Sequence, residues 1–113
     1  MFKNDPNNQQ TGISATSMKF DRIWSKQSSQ DDVFHEAQQL VDSAFHGYNA
    51  TIFAYGPSGS GKTHTMIGTK EQPGIVPRSL NRIFELADKQ QDSMFMIALT
   101  VLELYNDQFF DLL

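Results

Sequence analysis

Apolar residues in this chain recur with two different periods, and the changes between them mark out its elements. Residues 1–17 form a polar opening rich in Asn, Gln, Ser and Thr, the composition of a flexible lead-in. Lys19-Phe20-Asp21-Arg22-Ile23-Trp24 then alternates polar and apolar side chains, which predicts a half-buried strand. From Val33 the spacing lengthens, and Val33, Ala37, Leu40, Val41, Ala44 and Phe45 fall on one face of a helix. Ser29 supplies an N-cap, Asp31 and Asp32 suit the first turn, and Gly47 closes the helix. The run Thr51-Ile52-Phe53-Ala54-Tyr55 predicts a buried strand over 50–55. A short helical piece through Met66 follows, then a loop or helix interruption from Ile67 to Gly74. Pro77 fits the first turn of a second amphipathic helix carrying Leu80, Ile83, Phe84 and Ala87. Phe95 to Tyr105, dense in apolar and β-branched residues, predicts a long strand, with Met94, Phe95 and Met96 in the sheet core. Strands alternating with helices are the grammar of an α/β sheet covered by helices.

The chemistry lies where the 50–55 strand turns into its helix. Gly56-Pro57-Ser58-Gly59-Ser60-Gly61-Lys62-Thr63 fills every fixed position of G-x-x-x-x-G-K-[ST], the phosphate-binding loop pattern, in its strand-before, helix-after context. A nucleoside triphosphate needs several negative charges held at once. Backbone N–H groups can converge on them because Gly59 and Gly61 carry no Cβ to block the approach. The helix beginning near Gly61 adds unsatisfied N–H groups and the positive end of its dipole. Lys62 reaches the β and γ phosphates as a point charge, and the Thr63 hydroxyl suits Mg²⁺. Pro57 removes one donor near the mouth of the loop, where the loss is small. A glycine-rich turn in an unrelated α/β protein would explain the glycines, but not the lysine and threonine at this spacing. Turnover needs more: a group that positions water and a sensor of the γ phosphate, neither of which the loop supplies.

Composition narrows the setting. A chain of 113 residues has room for one small domain, and its net charge of −4 argues against nucleic acid or an anionic membrane as a direct partner of this segment. The absence of cysteine excludes a disulfide framework and suits an intracellular protein. The polar opening has no apolar stretch of the kind a secretory signal requires, and the longest apolar run, 94–102, is far shorter than the roughly 20 residues of a spanning helix. Asn49-Ala50-Thr51 matches a glycosylation acceptor only by coincidence, since it enters the strand before the loop. His35 and His46 have no metal-like spacing and read as ordinary helix residues.

Beyond the loop itself, residues 47–56 (Gly47-Tyr48-Asn49-Ala50-Thr51-Ile52-Phe53-Ala54-Tyr55-Gly56) with Ser60-Gly61-Lys62-Thr63-His64-Thr65-Met66 resemble the nucleotide-binding signature of the kinesin motor domain. Phe20-Asp21-Arg22-Ile23-Trp24, Gly74-Ile75-Val76-Pro77-Arg78, Leu102-Glu103-Leu104-Tyr105-Asn106-Asp107 and Asp111-Leu112-Leu113 are similar to further family segments in the expected order. The likeness covers residues 18–113. It implies a three-layer P-loop NTPase fold of the kinesin kind, represented only in part: a central, mostly parallel sheet with helices on both faces. It also implies ATP and Mg²⁺ held by Gly56 to Thr63, and His64 against the adenine, with a packed helix histidine as the alternative. In such a motor, ATP hydrolysis drives movement along microtubules, in the cytoplasm and on the cytoskeleton. Pro57 and Glu71-Gln72-Pro73-Gly74 are similar to the chromokinesin group, which would add the spindle.

Three family elements do not occur in 1–113: the adenine-side Arg-x-Arg-Pro segment and the two switch motifs, N-x-x-S-S-R-S-H and D-L-A-G-S-E. The resemblance therefore assigns γ-phosphate sensing and microtubule contact to regions outside these residues, and no catalytic residue is assigned within them. Strands parted from their sheet neighbours would carry unpaired backbone groups, so the isolated polypeptide is expected to be unstable or aggregation-prone. Two other readings share the same loop. One is a truncated, non-enzymatic chain that binds nucleotide or pairs with another subunit. The other is a P-loop kinase or small NTPase, which the motor-like flanking segments disfavour.

Overall fold

The computed structural model describes residues 17–90 and 92–113, so residues 1–16 of the polar opening lie outside the described residues. Helix α1 spans Gln30–Phe45 and begins as its capping residue dictates. Ser29 Oγ accepts from the Asp32 amide at 3.2 Å, and the Asp32 carboxylate accepts from the Ser29 amide at 2.7 Å, closing a reciprocal capping box. The Ser29 amide, with the Ser29 hydroxyl, holds the Asp32 carboxyl below the ordinary carboxylate range. At the other end Gly47 takes a left-handed φ of +98°, which ends the helix at little steric cost. Helix α2, Lys62–Met66, is one turn and a half; α3 runs Ile75–Lys89 with Pro77 inside its first turn.

Between α2 and α3 the chain makes a tight loop. Gly68 pairs with Pro73 as an isolated antiparallel bridge, and the Gly74 amide donates to the Ile67 carbonyl at 2.9 Å. Gly74 is itself buried, and a Cβ there would lie 2.5 Å from the Thr65 carbonyl oxygen and 2.7 Å from the Met66 carbonyl carbon. The absence of a side chain at residue 74 is what lets α3 start directly against the end of α2.

Helices α1 and α3 pack together. Ala37, Val41 and Ile75 form the buried apolar centre among the described residues. Charged pairs fasten the rim: Arg82 donates to both carboxylate oxygens of Asp42 at 2.7 and 2.8 Å, and Arg78 pairs with Asp31 at 2.5 Å. The Arg82 guanidinium lowers the Asp42 carboxyl below its usual value. Arg22 reaches Glu36 and ties the segment before α1 to that helix. Beside the centre lies an apolar groove of about 260 Å³ lined by Val41, Ala44, Ile52, Ile75, Leu80 and Ile83. Leu40 and Phe84, expected on the buried faces, remain about half exposed.

The strand expectations need correction. Segments 19–24 and 50–55 form no ladder, and of Phe95 to Tyr105 only Leu102–Tyr105 (β1) is paired. Its partner is β2, Gln108–Asp111, antiparallel, with Leu102 opposite Asp111 and Tyr105 opposite Gln108. This hairpin is the one sheet among the described residues. It turns on Asn106 and Asp107, both at positive φ (51° and 59°), the twist that a two-residue hairpin connection requires. The physical reason for the difference is non-locality. A helix satisfies its backbone within itself, whereas a strand is paired only when another strand lies alongside. Segment 94–101 nevertheless keeps a strand's two-sided character. Phe95 and Ile97 are each 39% exposed, while Met94 and Met96 are 100% and 96% exposed. Phe95 rests on Phe45 of α1, ring centroids 5.0 Å apart, so Met94 and Met96 do not lie in a sheet core here.

Candidate functional site

The 50–55 segment delivers the chain to Gly56, and the next five residues fold back before α2 begins. The Ser60 amide donates to the Pro57 carbonyl at 3.2 Å, closing a turn through Ser58 and Gly59. Gly59 and Gly61 have φ of +76° and +92°, so the glycines are demanded first by backbone conformation. A Cβ on either would meet no protein atom within 4 Å, which means that the space over them is open. Gly61 is the N-cap of α2 and offers no side-chain acceptor. The amides of Lys62, Thr63 and His64 accordingly find no protein acceptor among the described residues, and the first helical bond is Thr65 N–H to the Gly61 carbonyl at 2.9 Å.

Lys62 curls back over this loop. Its ammonium donates to the Gly56 carbonyl at 3.0 Å and the Pro57 carbonyl at 2.7 Å. Two of its three protons are thereby used to fix it at the mouth of the turn, leaving one for an anion. The Thr63 hydroxyl, one residue on, has no hydrogen-bond partner among the described residues. Gly56, Pro57, Ser58, Gly59, Ser60, Gly61, Lys62 and Thr63 thus form one contiguous rim in which Pro57 has no N–H and the Ser60 amide is spent on the turn, while the Lys62 and Thr63 amides, the Lys62 ammonium and the Thr63 hydroxyl face a ligand's side. Such a set is complementary to a polyphosphate and a hard, oxygen-seeking cation.

His64 sits at the far side of the rim, on the first turn of α2. Its backbone carbonyl accepts from Gln30 Nε2 at 2.6 Å, and the same nitrogen lies 3.3 Å from His64 Nδ1. Gln30, the first residue of α1, is only 9% exposed. Together with Lys26, Asp31, Gln72 and Arg78, these two residues wall a polar cleft of about 430 Å³. No sequence signal points to Gln30, because a glutamine at a helix start reads as solvated and its partner lies 34 residues on. The remaining histidines stand apart from the site. His35 lies on α1, and His46 caps that helix with its ring nitrogen 2.6 Å from the Asp42 carbonyl oxygen.

The family model described as the kinesin motor domain matches residues 2–113, a match that also runs through the polar opening. Among curated proteins, the chain is 47% identical over 94 residues to "Kinesin-like protein KIN-14T" of Arabidopsis thaliana, covering 83% of this chain and 11% of that protein. It is 42% identical over 103 residues to "Kinesin-like protein KIN-14E" of Oryza sativa subsp. japonica, covering 90% and 10%. The chain therefore spans about a tenth of the length of these relatives. Among solved structures it superposes on a mutant of the kinesin motor ATPase with a TM-score of 0.60 at 45% identity, covering 65% of this chain and 23% of that one.

Proposed function

The chain belongs to the kinesin motor-domain family and shares its P-loop NTPase fold, and from that premise we infer that residues 56–64 are the Mg-ATP-binding loop of a microtubule-based motor. One observation carries the reading. The Lys62 ammonium is pinned by two loop carbonyls beside a row of amides that no protein group uses. A side chain of high rotamer entropy is held in one place there, and the donors around it are left available for a ligand.

Within this reading each residue has a separate task. Gly59 and Gly61 supply the left-handed turns that aim backbone donors at the phosphates. Lys62 balances charge at the outer phosphates, and His64 flanks the base. Bound Mg²⁺ would neutralise charge on the terminal phosphates, and Thr63, directly after Lys62 on the first turn of α2, would offer it a hydroxyl oxygen. The switch motifs that sense the γ phosphate in the family are not among residues 1–113, so hydrolysis and microtubule attachment are proposed for the whole protein rather than assigned to these side chains. Localisation to the microtubule cytoskeleton follows on the same footing. Among the described residues no helix is long and apolar enough to cross a membrane.

The test is ATP binding by calorimetry in Mg²⁺ buffer, comparing the protein with Lys62→Ala. Removing a charge-assisted contact to phosphate is expected to weaken binding by about tenfold or more. Equal affinity of the two proteins would show that the loop is not where the nucleotide sits.

A further inference from the structure

We propose that Gln30 is a positioning residue for His64, fixing both the attitude of the ring and its tautomer, and so setting the part of nucleotide affinity that depends on the base. The inference rests on the nucleotide-binding reading of the loop only for its second half. The contact between the two residues stands by itself.

The geometry leaves little freedom. A group 2.6 Å from a backbone carbonyl oxygen must donate, so the Gln30 amide nitrogen, not its oxygen, faces His64. An NH₂ group has two hydrogens. One goes to the His64 carbonyl, and the other is available to Nδ1 at 3.3 Å. Nδ1 must then be the bare, accepting nitrogen, which puts the ring proton on Nε2. Because Gln30 is nine-tenths buried, its amide has no ready exchange with water, and losing either acceptor would leave a buried donor unsatisfied. The capping box at Ser29 and Asp32 holds the backbone of Gln30 in place. The start of α1 is thus locked to the first turn of the phosphate-loop helix through one side chain.

This arrangement separates two kinds of affinity. Phosphate contacts come from the loop amides and Lys62, which Gln30 does not touch. Base contacts come through His64, which Gln30 orients. Two variants isolate donation from shape: Gln30→Ala removes the side chain, and Gln30→Met keeps its length while removing both hydrogens without adding charge. Each is compared with the unaltered protein for binding of Mg-ATP and of Mg-tripolyphosphate, which has the phosphates without the base. Both variants are expected to lose about tenfold in ATP affinity, with tripolyphosphate affinity changed by less than about twofold. Equal losses for the two ligands would mean that Gln30 merely props up the loop, and no loss for either would remove its role; both outcomes overturn the proposal.

A second measurement stands apart from nucleotide. Ring ¹⁵N correlation spectra of the unaltered protein, with His64 assigned by its disappearance in His64→Gln, are expected to show a bare Nδ1 and a protonated Nε2. A protonated Nδ1 overturns the proposal whatever the variants do. Should the unaltered protein bind neither ATP nor tripolyphosphate, the phosphate-loop reading fails, and the ring spectra alone decide the Gln30 contact.

Discussion

Gly74→Ala is the perturbation that most directly tests how the two halves of this site are joined. The residue has φ of −84° and ψ of −164°, ordinary extended backbone that alanine adopts without strain. Any cost must therefore be steric. The new methyl would sit 2.5 Å from the Thr65 carbonyl oxygen, so α2 and the start of α3 must part by about 0.9 Å to restore the 3.4 Å of ordinary contact. The obstacle is backbone, not the end of a flexible side chain, and the Gly74 N–H bond to the Ile67 carbonyl lies across the same gap. Overpacking of this kind costs about 1–3 kcal/mol and a weakened hydrogen bond about 1 more, giving a loss of about 2–4 kcal/mol. Gly47→Ala is the internal control. There φ is +98°, but nothing lies within 4 Å of the added methyl, so only the left-handed penalty of about 1–2 kcal/mol applies. Denaturant unfolding of both variants, with amide exchange at residue 74, gives the comparison. If Gly47→Ala proves the more damaging, the close approach of α3 to α2 is not a determinant of this fold and the reasoning fails.

Two further outcomes are expected. Pairing with Arg82 lowers the Asp42 carboxyl, so its contribution is present at neutral pH, persists above the unfolded carboxylate value of about 4, and fades as pH falls through the lower folded value. In Arg82→Met the acid side of the stability profile should flatten in that window, and an unchanged profile would remove the pair from the account. At the hairpin, Asp107→Gly relieves a non-glycine residue at φ +59° and should stabilise the turn by a few tenths to about 1 kcal/mol. Slower amide exchange across the Leu104–Phe109 pair is the expected signature, and faster exchange would contradict it.

What could be read from the sequence divides along lines of locality. Ser29, Gly47 and Pro77 placed the helix boundaries well, because caps and stops act within a few residues of themselves. The turn through residues 56–61 and the short helix after it were legible for the same reason, since left-handed glycines and a helix start are specified within one short stretch. The strands were not. Alternation at 19–24 and the apolar run at 50–55 describe a side-chain pattern, while pairing depends on what lies alongside. The hairpin escaped notice because Asn106-Asp107 looks like the stop after one long strand rather than a turn into a second, although both residue types tolerate the left-handed region it needs. Gln30 was illegible outright, for nothing near it in sequence announces a partner on another helix.

The uneven dress of segment 94–101 has a practical corollary. Sulfur oxidises where peroxide can reach it, and Met94 and Met96 stand fully open while Phe95 packs on Phe45 of α1 and Ile97 is less exposed. The two thioethers are therefore built-in chemical footprints. Their rate of conversion to sulfoxide, read by mass spectrometry, reports residue by residue on whatever comes to shelter that segment.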